Sequence, residues 1–196
     1  MQNIGVFLDR DGTISEEVGY INHPSRLQIY PWAPQAVRLM NERGLKIIVV
    51  TNQAGVARGY FKEELVMEVH RRLRDEMTRA GALLDAIYYC PHHPTVGDPP
   101  YRQECNCRKP KTGMLERAVE EFDIDLRRSF VVGDRYGDIE LARNGGAHSV
   151  FVLSGYGLGE YEYQRQNWKI QPEWVAKDLL EATQTILKAV DSPSIA

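Results

Sequence analysis

An α/β fold, with a mostly parallel sheet and helices on both of its faces, is expected from three features of the 196-residue chain. Short β-branched runs alternate with amphipathic helical stretches. The runs are apolar without interruption, as strands covered on both faces must be. Acidic residues follow the ends of the first and third of these runs. The runs are Ile4 to Leu8, Ile47 to Val50, Phe130 to Val132 and Val150 to Leu153.

The helical stretches carry their own start and stop signals. Pro34 opens one that runs to about Arg43 and stops at Gly44. A second presents Leu65, Val69, Leu73 and Met77 on one face. A third follows Thr112 as its N-cap, and a fourth runs from about Asp138 to Asn144 before Gly145 and Gly146. After Gly155 a Tyr- and Gly-rich connection leads to a final helix over about Pro172 to Val190, and residues 191–196 are expected to fray as a tail. The arrangement predicted is a three-layer, Rossmann-like single domain over residues 1–190, with ligands gathered at the carboxyl ends of the strands.

Composition narrows the partners. A formal charge of -3, with Lys and Arg dispersed among acids, leaves no basic stripe for a phosphate backbone, so nucleic acid is not expected. The opening residues lead directly into a strand, and no later stretch approaches the length of a membrane span. A cytoplasmic protein without a membrane partner, and a monomer, is the expectation. Three cysteines cannot all pair within one chain, and Cys105 and Cys107 stand too close for an ordinary disulfide. Reduced thiols and metal chemistry follow.

The chemistry lies where the strands end. Asp9 and Asp11 close the first run, and Gly12 permits a turn that faces both carboxylates into one pocket. An Asp-Gly turn capped by its own side chains would explain this stretch taken alone. Thr51, Asn52 and Gln53 end the second run and lead into the Gly55 to Gly59 loop, which offers a hydroxyl and backbone N–H groups to phosphate oxygens. Pro110 keeps Lys109 extended just ahead of the third helix. Asp134 ends the third run, with Asp138 four residues on, where a helix cap is the plain alternative. Three acids, a hydroxyl and an ammonium at successive strand ends of one sheet point to a hard divalent cation, for which oxygen ligands suit Mg²⁺.

A second metal is suggested by the region from Tyr89 to Lys111, rich in Pro, His and Cys and without periodicity. Cys90, His92, Cys105 and Cys107 complete a C-x-H…C-x-C spacing suited to closed, structural Zn²⁺ coordination, with His93 able to replace His92.

With these motifs in place, the chain resembles the haloacid dehalogenase superfamily of phosphohydrolases through DRDGT, TNQ, the Lys109 segment and GDRYGD, over about Ile4 to Leu153. The resemblance implies Asp9 as nucleophile, Asp11 as general acid and base, and Thr51 and Lys109 as binders of the phosphoryl group. It implies Asp9, the Asp11 carbonyl and Asp134 as Mg²⁺ ligands. Its zinc-loop, sugar-phosphate members imply a small phosphorylated sugar as substrate, read by Arg108, with Glu17, Val18, Gly19, Tyr20, Asn52, Gln53 and Ala54 lining its pocket. Between Thr51 and Lys109 there is room for one helix, one strand and the zinc loop, hence only a minimal cap. Arg135 departs from that likeness, since lysine commonly follows the metal aspartate there. Two other classes fit less well: a phospho-receiver domain carries its aspartate in mid-chain, and a zinc-ribbon interaction module leaves the acids unexplained.

Overall fold

Side chains of alternate residues along the first strand divide the core in two. Val6 and Leu8 face one helical layer and Phe7 faces the other, all without solvent exposure. Each such fully buried side chain stabilises the fold by about 1.5–3 kcal/mol. The structure, a computed structural model, describes residues 2–192. Its strands are β1 (Gly5–Leu8), β2 (Lys46–Asn52), β3 (Ala86–Cys90), β4 (Phe130–Gly133), β5 (His148–Val152) and β6 (Trp174–Ala176). They form one parallel sheet in the order β3-β2-β1-β4-β5-β6.

The helices are α1 (Ala33–Glu42), α2 (Glu63–Arg79), α3 (Gly113–Phe122), α4 (Tyr136–Gly145), α5 (Gly157–Tyr163) and α6 (Leu179–Val190). Apolar residues of α1, α2 and α6 pack with Val6, Leu8, Ile47 and Phe130, while α3 and α4 pack with Phe7, Ile48 and Val131 on the opposite face. The three-layer arrangement expected from the pattern is therefore present. Strand order reverses between β1 and β4, and a parallel sheet opens a crevice at such a point because the connections on either side diverge. Asp9 follows β1 and Asp134 follows β4, so both stand at that crevice.

Between β2 and α3 the chain supplies only α2, β3 and an irregular loop, as the minimal cap required. That loop starts later than Tyr89, because Tyr89 and Cys90 pair with Thr51 and Asn52 as the end of β3.

The C-terminal region differs from its expected form. Pro172 does not begin a helix; Trp174–Ala176 adds a sixth strand beside β5, and α6 starts only after Asp178, whose carboxylate accepts the Leu180 and Glu181 N–H groups. A three-residue strand is too short to show a period, and its apolar residues merge with the helical pattern that follows. The Tyr- and Gly-rich connection folds partly as α5. Thr112 occupies the N-cap of α3 without a side-chain cap; its hydroxyl donates to Glu116 Oε1 instead. Asp191 closes α6, and the rest of the expected tail, residues 193–196, lies outside the described residues.

Asp178→Ala is expected to lower stability by about 1 kcal/mol through loss of the cap. Pro172→Ala, upstream of the helix start, should stay within about 0.5 kcal/mol. Urea midpoints of the two variants check this, and the reverse order would place the start of α6 wrongly.

Candidate active site

Asp9 leaves β1 with its backbone N–H donating to Val132 O, which sets its carboxylate at the β1–β4 crevice. Its Oδ1 accepts the Arg10 N–H at 2.7 Å and the Lys109 ammonium at 2.9 Å. The same ammonium reaches Asp138 Oδ1 at 2.7 Å. Asp138 lies in the first turn of α4, where its other oxygen accepts the Arg135 N–H. Asp134 is wholly buried; its Oδ2 accepts the Tyr156 N–H at 2.8 Å, and its Oδ1 has no hydrogen-bond partner among the described residues.

Two glycines make room for Asp134. Gly12, at φ +84°, would place a Cβ 2.1 Å from Asp134 Oδ2, and Gly155, at φ +58°, would place one 2.3 Å from the same atom. Any side chain at either position collides with the carboxylate, which accounts for the glycine that ends the DRDG stretch.

Asp9, Asp134 and Asp138 each offer an oxygen, all within 4.8 Å of one another. At an effective dielectric near 20, two carboxylates at such a separation repel by about 3 kcal/mol, and one lysine cannot offset three of them. Burial, with repulsion from Asp138 and Asp11 and against the pull of Lys109, raises the Asp9 carboxyl to about 7. Burial, then repulsion from Asp9 and Asp138, raises Asp134 to about 9. Burial lowers the Lys109 ammonium, but Asp138 and Asp9 together outweigh it, and its pKa lies above the ordinary lysine value. An orphaned buried oxygen amid crowded acids fits a hard divalent cation. The third acid of this cluster is Asp138 rather than Asp11, whose side chain points elsewhere.

Asp11 is held by its neighbour. Arg10, with 2% exposure, donates Nε to Asp11 Oδ1 at 3.0 Å and Nη2 to Oδ2 at 2.7 Å, while Nη1 meets His70 Nε2 at 3.0 Å. Burial, then the charges of Arg10 and Arg74, pushes His70 down from 6.5 to about 3, so it is neutral and accepts from Arg10. Gln53 Nε2 bridges Asp11 Oδ2 and Thr51 Oγ1. The side-chain amide of Asn52 exchanges two hydrogen bonds with the Lys109 backbone, at 3.1 Å each, so it fixes the lysine loop to β2.

These groups open into a cleft of about 650 Å³. Asp9, Asp11, Glu17, Gly19, Tyr20, Thr51, Asn52, Gln53, Ala54, Arg108 and Lys109 all line it. Val18 does not; its side chain packs against the apolar core. The N–H groups of Val56, Arg58 and Gly59 donate back to their own segment instead of facing a ligand, because the loop closes as successive turns. Glu17 accepts the Gly19 N–H, and burial raises its carboxyl. Arg58, Tyr156, Glu160 and Trp168, given no role from the sequence, also line the cleft, as do Arg135 and Asp138, read there as a departure from the likeness and as a helix cap. Asp138 stands at the end of the GDxxxD spacing, and Arg10 lies between the two acids of the DRD stretch.

Cys90, His92, Cys105 and Cys107 converge beside the cleft. Cys90 Sγ lies 3.5 Å from Cys105 Sγ, and His92 Nδ1 lies 3.3 Å from Cys107 Sγ and 3.8 Å from Cys90 Sγ. Ligands about 2.0–2.3 Å from a tetrahedral zinc are separated by edges of about this length. His93 faces away: its Nδ1 accepts from Thr95 and Val96, and its Nε2 meets Arg58. Arg108 Nη1 donates to His92 O, so the cluster also braces the residue beside Lys109.

The D-glycero-D-manno-heptose-1,7-bisphosphate 7-phosphatase of Thermosynechococcus vestitus is 42% identical over 194 residues, covering 95% of this chain and 96% of that protein. The chain belongs to the haloacid dehalogenase-like phosphatase family. The HAD-hydrolase-like family itself matches residues 106–182. A second relative within this family, the D-glycero-beta-D-manno-heptose-1,7-bisphosphate 7-phosphatase of Pasteurella multocida, is 38% identical over 168 residues, covering 85% of this chain and 90% of its own. The D,D-heptose 1,7-bisphosphate phosphatase of B. bronchiseptica, solved with magnesium and phosphate, superimposes with TM-score 0.83 at 27% identity, covering 94% of this chain and 98% of that one.

Because the folded His70 pKa lies below its unfolded value, the unfolded state takes up the extra proton. Its contribution to stability is complete above about pH 6.5 and is lost as pH falls toward 3. His70→Gln keeps an acceptor for Arg10 but does not titrate. It is expected to reduce the loss between pH 6.5 and 5 by on the order of 2 kcal/mol, read from urea midpoints at each pH; equal slopes in the two proteins would refute a neutral, acid-sensitive His70.

Proposed function

We propose that this chain removes the 7-phosphate of D-glycero-D-manno-heptose 1,7-bisphosphate through an aspartyl-phosphate on Asp9. The observation that carries the reading is the Asp9–Lys109–Asp138 ion cluster, with the orphaned Asp134 oxygen beside it, at the floor of a cleft that also holds Arg108. The relatives named for this reaction support the choice of ester.

Asp9, Asp134 and Asp138 would hold Mg²⁺, with the Asp11 carbonyl as a further ligand. When bound, the cation neutralises carboxylate and phosphate charge that would otherwise keep nucleophile and ester apart. Lys109 and the Thr51 hydroxyl bind phosphate oxygens and set the phosphorus in line with Asp9. An Asp9 oxygen attacks, the bond from phosphorus to the sugar oxygen breaks, and Asp11 gives its proton to the departing oxygen. Asp11 then takes a proton from water, which attacks the phosphorus of the aspartyl-phosphate, releases inorganic phosphate and restores Asp9. Arg10 and Gln53 keep Asp11 at the cleft through both transfers.

Arg108 recognises the end of the substrate that does not react, by donating paired N–H groups to its phosphate or hydroxyl oxygens. Zinc on Cys90, His92, Cys105 and Cys107 has a structural role, since four protein ligands leave no position for water. The protein works as a cytoplasmic monomer in the supply of bacterial surface sugars, with neither nucleic acid nor membrane as partner. No helix among the described residues is long and apolar enough to cross a membrane.

Turnover of heptose bisphosphate is expected to exceed that of histidinol phosphate by orders of magnitude, to require Mg²⁺, and to vanish in Asp9→Asn. A preference for histidinol phosphate, the rival substrate for the same motifs, would overturn the choice of ester. Full activity in Asp9→Asn would overturn the covalent route.

Metal analysis of the purified protein should find about one zinc per chain, lost in Cys105→Ser together with a fall in melting temperature. Unchanged stability in a zinc-free variant would remove the structural role.

A further inference from the structure

Two features that stood apart in the sequence meet in space: Arg135, in a place where lysine is common, and the Tyr- and Gly-rich stretch after Gly155. That stretch forms α5, and Glu160 on this short helix is only 8% exposed. Its two oxygens are divided between neighbours. Oε1 receives Arg135 Nε at 2.5 Å, and Oε2 receives the Tyr136 N–H, at the start of α4, at 2.8 Å. Tyr156 adds a second restraint, with the Arg135 guanidinium carbon 4.5 Å from its ring centroid.

The pairing occupies Nε and leaves the two terminal nitrogens, with four N–H groups, on a side chain that lines the cleft and is 51% exposed. An arginine this exposed ordinarily samples many rotamers and loses that freedom when it binds. Here one side chain grips the guanidinium and another lies against it, so the loss is taken in folding and not in binding. A lysine paired with Glu160 would anchor and donate through the same nitrogen, whereas the guanidinium anchors at Nε and leaves a planar pair of terminal nitrogens to donate.

We propose that Glu160 is a positioning residue that holds Arg135 as a fixed, two-nitrogen donor to substrate oxygens away from the reacting phosphorus. The inference rests on the phosphatase reading and adds α5 to it as a wall that sets specificity. The oxygens concerned belong to the sugar hydroxyls or to the second phosphate, which the test separates.

Steady-state kinetics of Glu160→Gln decide it, since glutamine still accepts the Tyr136 N–H but cannot pair with the Arg135 charge. The KM for heptose bisphosphate is expected to rise about fivefold more than the KM for phenyl phosphate, with little of the change in kcat. Arg135→Met should raise KM similarly, and Glu160→Gln added to Arg135→Met should have less than about a twofold further effect. A rise shared by the heptose monophosphate assigns the contact to hydroxyls; a rise confined to the bisphosphate assigns it to the second phosphate. An undiminished effect of Glu160→Gln in the Arg135→Met background would overturn the proposal, as would equal losses on phenyl phosphate or no change in KM. If wild-type protein prefers histidinol phosphate, only the heptose assignment fails, and the same comparison is made on that ester.

Discussion

A single ammonium group, that of Lys109, sits buried between Asp9 and Asp138, and the crowding of charge around it governs the rest of the site. Acids from two strand ends converge there because β1 and β4 are neighbours in the sheet although their sequences are far apart. Burial makes each charge costly and each pairing strong, so the geometry tolerates little displacement. The same crowding that would destabilise an empty cluster makes it receptive to a divalent cation.

Much of the surrounding structure serves to hold that lysine in place. Asn52 at the end of β2 binds both backbone groups of Lys109, and Gln53 N donates to Cys90 O, tying the same strand end to β3. The Cys and His cluster begins at Cys90 and ends two residues before Lys109, so a metal there would close the loop from both sides. Arg10 plays the matching part for Asp11. Each of its three guanidinium nitrogens has a partner in the carboxylate or a neutral histidine, which lets a charged side chain lie in the core.

The principal strands, the first four helices and the ends at which acids gather were legible from local pattern alone. Continuous β-branched runs can bury both faces, and glycine or proline marks where each must turn. The Cys and His cluster was legible for a similar reason, since spacing limits what two close thiols can do, though the convergence of His92 rather than His93 on it needed coordinates. Short elements were lost. Trp174–Ala176 is three residues long and α5 only seven, too few for a period to emerge. Val18 was placed in the pocket by likeness of position, but its apolar side chain turns to the core.

From composition and order alone came the layered α/β plan, the acids that gather at its strand ends, the lysine held ahead of α3 and the cysteine cluster. Each depends on residue types at short separation, where chain geometry leaves few choices. Folding alone assigned Asp138 to the acid cluster, His70 to Arg10 across 60 residues, and Glu160 to Arg135 across 25. Every one of those residues has a commonplace local explanation as a helix cap, a core histidine or a surface charge. Only the packing of distant segments into one low-dielectric space turns them into partners.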